Sequence, residues 1–222
     1  MDTHWAESLF SWTTFDVNPF LPNNWDAELE DIAAKYGKNK ILKPTSVTSR
    51  EDFDVQGVAV RTVGGICLIK NASWLHGLYV GPFKTLAQRA ARGPVYCARD
   101  QRIGINLNIQ IGSVSRYEAH VDSNPIEGLL YVTTHFPGEG GQLVVGLRSS
   151  ARGVKEIGSR SAMIYPVRGH LIFFDARSSP HFVQALKSDD SQRLVVAMNY
   201  YTDECTEADR PSDLNRHLGL DD

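Results

Sequence analysis

The alternation of hydrophobic and polar residues changes character at about residue 103. From that point, short β-branched or alternating runs are separated by Gly, Pro, Asn and Asp, which is typical of an all-β sandwich or barrel. The runs are INLNIQIGSV, AHVDS, EGLLYVTTHF, GQLVVGL, SAMIYPV, HLIFFDA, HFVQALK and QRLVVAMNYYT. Eight strands fit a jelly roll made of two sheets, so we expect a mainly β fold with flanking helices.

The first hundred residues carry helix signals instead. NNWDAELEDIAAKYG has a candidate Asn cap, early acidic residues and a closing Gly, and GPFKTLAQRAARG is a second helical stretch. A charged loop leads from the first helix to GVAVRTVGGICLI, which predicts two short β-rich pieces around Gly64 and Gly65. The aromatic segment from Trp5 to Trp25 is interrupted by prolines and predicts an irregular arm. We expect the helices to brace the outside of one sheet.

Length and charge narrow the class of protein. The 222 residues fit one large domain, with 1–100 as an arm and supporting helices, 103–203 as the jelly-roll core and 204–222 as a C-terminal extension. A formal charge of -3, with scattered basic residues, predicts no nucleic-acid partner.

Cysteine usage and the N-terminus bear on the compartment. The three cysteines are widely spaced and form no C-x-x-C pair, which argues against a disulfide framework and favours a reducing environment. The chain begins without the basic and apolar regions of a secretory signal, and no run is long enough to cross a bilayer. We therefore expect a cytoplasmic protein that makes no membrane contact.

The segment YEAHVDSN brings candidate metal ligands together. In an extended strand, His120 and Asp122 leave the same face about 6 to 7 Å apart, so both can reach one ion. His181 opens HFVQALK and could be delivered by a partner strand. Two histidines and one carboxylate form the facial triad of non-haem Fe(II) oxygenases, although the same ligands can hold a catalytic zinc with an activated water.

Arg193 suggests a second ligand group. A tight hairpin between HFVQALK and QRLVVAMNYY would pair Arg193 with a residue near Leu186, about 16 Å along the strand from His181. That spacing suits a short diacid such as 2-oxoglutarate, chelating the metal at one end and meeting the guanidinium at the other. The alternative is that Arg193 is a solvated charge at the start of a strand.

Several motifs in order resemble the 2-oxoglutarate-dependent Fe(II) dioxygenases, specifically the prolyl-hydroxylase-like branch. They are Y-x-x-H-x-D from Tyr117, GG-x-L from Gly140, HLIFFDAR before PHFVQAL, and an Arg on the next strand, all between Ser115 and Thr202. The resemblance implies one catalytic domain with a double-stranded β-helix core. It also implies Fe(II) on His120, Asp122 and His181, 2-oxoglutarate on Arg193, and O2 as a further co-substrate.

Three further residues are candidate contacts. The resemblance suggests Tyr117 and Tyr131 as contacts of 2-oxoglutarate, although strict alternation turns Tyr117 away from His120 unless the strand contains a bulge. Alternation places Asn199 on the face of Arg193, toward the metal and the mouth of the barrel, where it could meet substrate or instead bond its own backbone. The other histidines, including His217, have no partner at ligand spacing and are predicted to be structural or exposed.

The resemblance favours hydroxylation of an unactivated C–H bond with release of succinate and CO2. Related radical halogenases lack the carboxylate that is present here at Asp122. The chain ending is similar to bacterial relatives that act on free amino acids, so we expect a free amino acid or similar small polar substrate.

The N-terminal arm or the segment from Asn71 to Pro82 could serve as a lid. The alternatives are a peptidyl-prolyl hydroxylase and, in another class, a non-catalytic jelly-roll binding protein or a zinc hydrolase.

Overall fold

Two antiparallel sheets face each other in the computed structural model, which describes residues 12–218. The larger sheet has eight strands in the order β1-β10-β7-β12-β5-β3-β2, with β4 paired beside β12, and the smaller has the order β6-β11-β8-β9. The strands are β1 (Trp12–Asp16), β2 (Lys38–Leu42), β3 (Val58–Val63), β4 (Tyr96–Cys97), β5 (Ile105–Ile111), β6 (Tyr117–His120), β7 (Ile126–Tyr131), β8 (Leu143–Gly146), β9 (Ser161–Ile164), β10 (His170–Asp175), β11 (His181–Val183) and β12 (Gln192–Tyr201).

Seven α-helices lie among residues 12–218, and the first four of them cover the outer face of the larger sheet. The helices are α1 (Trp25–Tyr36), α2 (Gly65–Asn71), α3 (Ser73–Val80), α4 (Pro82–Ala91), α5 (Gln101–Gly104), α6 (Gly153–Ser159) and α7 (Leu214–His217). Apolar side chains of the first four, including Leu29, Leu68, Leu75 and Phe83, form one buried core with the outward side chains of the sheet. The prediction that helices brace the outside of one sheet is confirmed.

Strand β12 shows how one alternating sequence serves both sides. Its even-numbered residues from Leu194 to Tyr200 belong to the outer core, while its odd-numbered residues from Arg193 to Asn199 line a cavity between the sheets. Each of the eight strands expected from the sequence overlaps a strand of the structure, and the mainly β, jelly-roll class is confirmed.

Three sequence predictions in the first half are wrong. The second β-rich piece, GGICLI, is helix α2, because a short apolar run is compatible with either structure and packing against the core decides. The predicted irregular arm contains β1, which pairs with β10, and the predicted charged loop contains β2, which pairs with β3. The part of the arm from residue 1 to 11 lies outside the described residues.

The candidate lid from Asn71 to Pro82 contains α3. Its Leu75 and Tyr79 are buried in the outer core, on the side of the sheet opposite the cavity. The Tyr79 hydroxyl also donates a hydrogen bond to the carbonyl of Asn199 at 2.6 Å. This helix is therefore part of the support of β12 and does not cover the cavity.

Between residues 12 and 218, no helix combines the length and the apolar character that crossing a membrane requires.

Candidate metal centre

The three predicted metal ligands meet where β6 and β11 pair in the smaller sheet. His181 lies directly opposite His120 in the antiparallel register. Asp122 follows β6, and its N–H donates a hydrogen bond to the carbonyl of Ala176 at 2.9 Å. The chain therefore positions the carboxylate beside both imidazoles through its backbone.

The donor atoms converge on one point. Nε2 of His120 lies 3.1 Å from Oδ1 of Asp122, and Nε2 of His181 lies 3.7 Å from Oδ2 of the same carboxylate. The ligand atoms of all three side chains lie within 4.8 Å of one another. A divalent ion with bonds of about 2.0 to 2.2 Å fits among donors at this separation.

Backbone carbonyls orient both imidazoles. Nδ1 of His120 lies 2.7 Å from the carbonyl oxygen of Glu118, and Nδ1 of His181 lies 2.8 Å from that of Ser179. Since a carbonyl oxygen only accepts hydrogen bonds, each Nδ1 carries the hydrogen. Nε2 of each ring is then the atom available to a metal, which is the usual arrangement around metal-bound histidines.

Burial and the charges of their neighbours shift the pKa values of the three ligands. Burial opposes protonation of His120, but the hydrogen bond and charge of Asp122 outweigh it and raise the pKa of His120 to about 9. Burial and the neighbouring His120 lower the pKa of His181 to about 4. Burial alone would raise the pKa of Asp122, but His181 and His120 together hold it below its ordinary value. At neutral pH, Nε2 of His120 thus carries a proton in addition to the one on Nδ1. A metal ion must displace this Nε2 proton.

Tyr117 reaches the cavity because β6 is irregular. The register runs from the pair His181 and His120 to the pair Val183 and Tyr117, so β6 uses one more residue than β11 over this interval. The irregularity that Tyr117 requires is present. Its ring centroid lies 5.4 Å from that of His120, and Tyr117 lines the cavity.

Arg193 reaches the same cavity from the larger sheet. The predicted hairpin with Leu186 is wrong, because β11 and β12 belong to different sheets and Arg193 lies opposite Gln110 of β5. A sandwich connection can cross from one sheet to the other, and sequence spacing does not distinguish this from a hairpin. The consequence is that Arg193 faces the metal ligands across the sandwich.

The guanidinium of Arg193 is buried without a full set of partners. Arg193 is 1% exposed, and its Nε and Nη2 atoms have no hydrogen bond of acceptable geometry among the described residues. The hydroxyl of Tyr131 is also buried without a hydrogen bond of acceptable geometry, although it interacts electrostatically with Arg193, whose Cζ lies 5.6 Å from the Tyr131 ring centroid. Burial lowers the pKa of Arg193 and raises the pKa of Tyr131 to about 12. Buried donors without partners are rare, and this guanidinium is available to bind an anionic group.

Asn199 is held at the other end of β12. Its Nδ2 donates to the carbonyl of Ile103 in α5 at 2.5 Å, which differs from the predicted bond to its own backbone. Asn199 lines the cavity together with the other site candidates on its strand.

Sequence reasoning missed other polar residues of the cavity. Glu127 of β7 and Asn106 and Asn108 of β5 face it, and His217 forms a 2.9 Å hydrogen bond with buried Glu118 at its wall. A signal for the two asparagines existed, since polar residues at every second position of an otherwise apolar strand indicate a polar inner face. The pair of Glu118 and His217 joins residues too distant in sequence for any such signal.

Comparisons with known proteins bear on the fold. No family model matches the chain, and no curated protein matches it in sequence. Among solved structures, an oxidoreductase of the 2OG-Fe(II) oxygenase family from Burkholderia pseudomallei matches with a TM-score of 0.58 and 13% identity, over 86% of this chain and 85% of that one. The chain has the fold of these oxygenases.

Two further structures extend this oxygenase fold to different reactions. The non-heme alpha-ketoglutarate-dependent carbocyclase SnoK from nogalamycin biosynthesis matches with a TM-score of 0.61 and 15% identity, over 95% of this chain and 86% of that one. A prolyl hydroxylase from Trichoplax adhaerens, in complex with a hypoxia-inducible-factor peptide fragment, matches with a TM-score of 0.57 and 15% identity, over 96% of this chain and 88% of that one. The oxygenase fold therefore accommodates different substrates, and the substrate must be argued from the residues of this chain.

Proposed function

We propose that this protein is an Fe(II)- and 2-oxoglutarate-dependent oxygenase that hydroxylates a C–H bond of a free amino acid or a similar small polar molecule. The observation that carries the proposal is the pairing of two features in one cavity. A His-Asp-His cluster lies on one wall, and the buried, incompletely bonded guanidinium of Arg193 lies on the other. A zinc hydrolase needs only the first feature.

The ligand cluster fits a ferrous ion. His120, Asp122 and His181 would hold it through two Nε2 atoms and one carboxylate, and three protein ligands leave positions open for other molecules. The rings of Phe174 and His181 pack at right angles with a centroid distance of 4.9 Å, which restrains the His181 ring. These residues bind the ion and keep its open side toward the cavity.

The opposite wall fits the far carboxylate of 2-oxoglutarate. Arg193 can donate two parallel hydrogen bonds to a carboxylate, and the unpartnered hydroxyl of Tyr131 can donate another. Their burial makes each bond stronger than it would be in water, because water does not screen the charges. The co-substrate would be recognised by its charge at one end and by the metal at the other.

Bound iron with 2-oxoglutarate supplies oxidation of a C–H bond by O2, in which one oxygen atom enters the substrate as a hydroxyl and the other enters succinate as CO2 is lost. The chain contributes binding, orientation and shielding. Leu129, Val183 and Val195 line the cavity with apolar surface, which limits water near the reacting groups.

A small substrate is favoured by the covering of the cavity. Leu214, His217 and Leu218 of the C-terminal segment line it, and the segment is fastened to the body of the protein. His217 pairs with Glu118 at 2.9 Å, and Nζ of Lys40 donates to the Leu218 carbonyl at 2.7 Å. A folded-over segment restricts the space for an extended peptide, so the peptidyl-prolyl alternative is the weaker one.

The test begins with binding. Titration of 2-oxoglutarate into the nickel-loaded protein should give saturable binding, which should be absent without metal and in Asp122→Ala. Asp190→Ala, which removes an exposed carboxylate, is the matched control and should bind like the wild type.

The second step is turnover. With Fe(II), ascorbate and O2, the protein should form succinate from 2-oxoglutarate, and a panel of free amino acids should identify a stimulating substrate. If 2-oxoglutarate does not bind the metal-loaded protein, or if zinc alone supports hydrolysis of ester or amide probes, the oxygenase proposal is wrong.

A further inference from the structure

Glu127 is a buried carboxylic acid on the inner face of the larger sheet. It is 5% exposed and lines the cavity between the sheets, on the same face of β7 as Leu129. Its neighbour across the strand pair is Asn199 of β12, which also lines the cavity. A carboxyl group in this position is costly to bury unless something pairs with it.

No cationic side chain among residues 12–218 forms an ion pair with Glu127. One of its oxygens accepts a hydrogen bond from Nδ2 of Asn124 at 2.9 Å. Burial and the negative charge of Asp122 raise the pKa of Glu127 well above its ordinary value. Among the described residues, the carboxyl group therefore lacks a positive partner, and a cation bound beside it would favour its charged form.

The groups beside Glu127 are turned so that they offer acceptors. Asn124 uses its Nδ2 for the carboxylate of Glu127 and for the carbonyl of Ile126 at 3.0 Å. Asn199 uses its Nδ2 for the carbonyl of Ile103. The amide oxygens of Asn124 and Asn199 and the carboxylate of Glu127 remain available to a ligand. These acceptors favour a ligand group that is rich in N–H donors.

The metal centre does not supply the missing charge. A divalent ion with Asp122 and a dianionic 2-oxoglutarate with Arg193 would together be neutral. Lys40, Arg102 and Arg210 also line the cavity, but none of the ion pairs among residues 12–218 joins them to Glu127. The third component of the reaction, the substrate, is the group that could bring a positive charge to this carboxyl group.

We propose that Glu127, with the amide oxygen of Asn199 beside it, binds a positively charged amino group of the substrate and so selects amines over their uncharged analogues. This rests on the proposed function, since it names the part of the substrate that the oxygenase recognises. An ammonium group carries three N–H donors and one positive charge, which match the acceptors and the charge of this end of the cavity. Glu127 is thus a specificity-determining residue.

The experiment compares paired probes. The twenty common amino acids and the same compounds acetylated at every amino group are titrated into the nickel-loaded protein with 2-oxoglutarate, and binding is measured by calorimetry. At least one free amine should bind, and its acetylated form should bind about 30-fold more weakly or not at all, because it leaves the carboxylate buried and unpaired. Succinate formation with iron should follow the same preference.

Glu127→Gln is the decisive variant. The glutamine oxygen can still accept from Asn124, but it removes the charge, so affinity for the amine should fall about 30-fold or more while the melting temperature stays the same or rises. Glu127→Asp, which keeps the charge but shortens the side chain, should recover part of the affinity. Glu30→Gln removes an exposed carboxylate on α1 and should behave like the wild type.

The outcomes separate this site from the oxygenase itself. If no free amine binds, if the acetylated probes bind equally well, or if Glu127→Gln keeps the affinity, the Glu127 site is wrong even when nickel and 2-oxoglutarate bind normally. Failure of 2-oxoglutarate to bind the nickel form contradicts the proposed function instead. Titration of the amines into the metal-free protein keeps the test of Glu127 valid in that case.

Discussion

The two faces of β12 are built from alternate residues of one strand and have opposite chemistry. Leu194, Val196, Met198 and Tyr200 on the outer face are fully buried in the core beneath the helices. The inner face carries Arg193 and Asn199 at its two ends, with Val195 and Ala197 between them. One face is filled by the protein itself, and the other borders a cavity.

The difference lies in whether buried polar atoms have partners. On the outer side, the Tyr200 hydroxyl donates to the Tyr79 carbonyl at 3.0 Å. On the inner side, Arg193 and Tyr131 keep buried polar atoms that lack partners. Native proteins satisfy buried polar groups almost everywhere, so a cluster of unsatisfied ones marks a place where a ligand completes the structure. The outer face contributes stability, and the inner face carries the groups that we propose to bind ligand.

The largest expected effect is that of Arg193→Met on the inner face. Removing the guanidinium should weaken 2-oxoglutarate binding to the nickel-loaded protein by about 2 to 5 kcal/mol, because the ligand carboxylate loses its buried partner. The ligand-free protein should be as stable as the wild type or more stable, since an apolar side chain of similar size replaces a buried charge. Calorimetry and denaturant unfolding measure the two quantities.

The exposed Arg99 provides the control for charge. Arg99→Met should change neither quantity. If Arg193→Met instead unfolds the protein while Arg99→Met does not, Arg193 is a structural residue and the comparison between the two faces fails.

Leu194→Ala tests the outer face with the adjacent residue. Leu194 is fully buried in the outer core, so truncation should lower the free energy of unfolding by about 2 to 5 kcal/mol through lost burial and the cavity left behind. The affinity of the folded protein for 2-oxoglutarate should stay within about twofold of the wild type, because the side chain points away from the cavity. A large loss of affinity at unchanged stability would contradict this assignment of faces.

The face of the strand on which each site residue lies could be predicted from the sequence, because it depends only on neighbouring residues. Alternation along QRLVVAMNYY placed Arg193 and Asn199 on one face, and i, i+2 spacing placed His120 and Asp122 on one side of a strand. The structure brings all four to one cavity. Local patterns predict the face of a strand because the side-chain period is fixed by the backbone.

What could not be predicted depends on which strands become neighbours. The order of strands in the chain does not reveal that β11 and β12 lie in different sheets, so Arg193 was paired with the wrong residue. Glu127 was missed because an acid at the start of EGLLYV is compatible with an exposed strand end, and only the sandwich buries it. Helix α2 was missed because GGICLI carries no period that separates helix from strand.

Metal binding should depend on pH through His120. Because its pKa is raised to about 9 in the metal-free protein, a metal ion must displace a proton at lower pH. The apparent affinity for nickel should rise about tenfold per pH unit between roughly pH 6.5 and 8.5 and level off near 9.

The same raised pKa of His120 predicts that the stability of the metal-free protein falls as pH rises, opposite to the trend in nickel affinity. A raised pKa in the folded state means that protonated His120 stabilises the fold fully below about pH 6.5, and this stabilisation is lost as pH rises through about 9. Thermal melts across this range, with and without nickel, measure both trends. An affinity that does not change with pH would contradict the proton on His120.

The smallest expected effect comes from Gly141, which precedes β8 and lies against the side chain of Arg193. Its φ is +74°, and an added Cβ would lie 3.2 Å from Cδ of Arg193 and 3.1 Å from Cδ2 of Leu186. Gly138, with a φ of +99° and no atom near an added Cβ, is the matched control. Each alanine variant should lose about 1 to 2 kcal/mol of stability because both positions are left-handed. Only Gly141→Ala should also weaken 2-oxoglutarate binding, by about 1 kcal/mol, since only it displaces the stem of the Arg193 side chain.

Calorimetry on the two nickel-loaded variants measures the difference in affinity. Equal affinities would mean that 2-oxoglutarate binding tolerates this displacement of Arg193, and would contradict a role for its exact orientation.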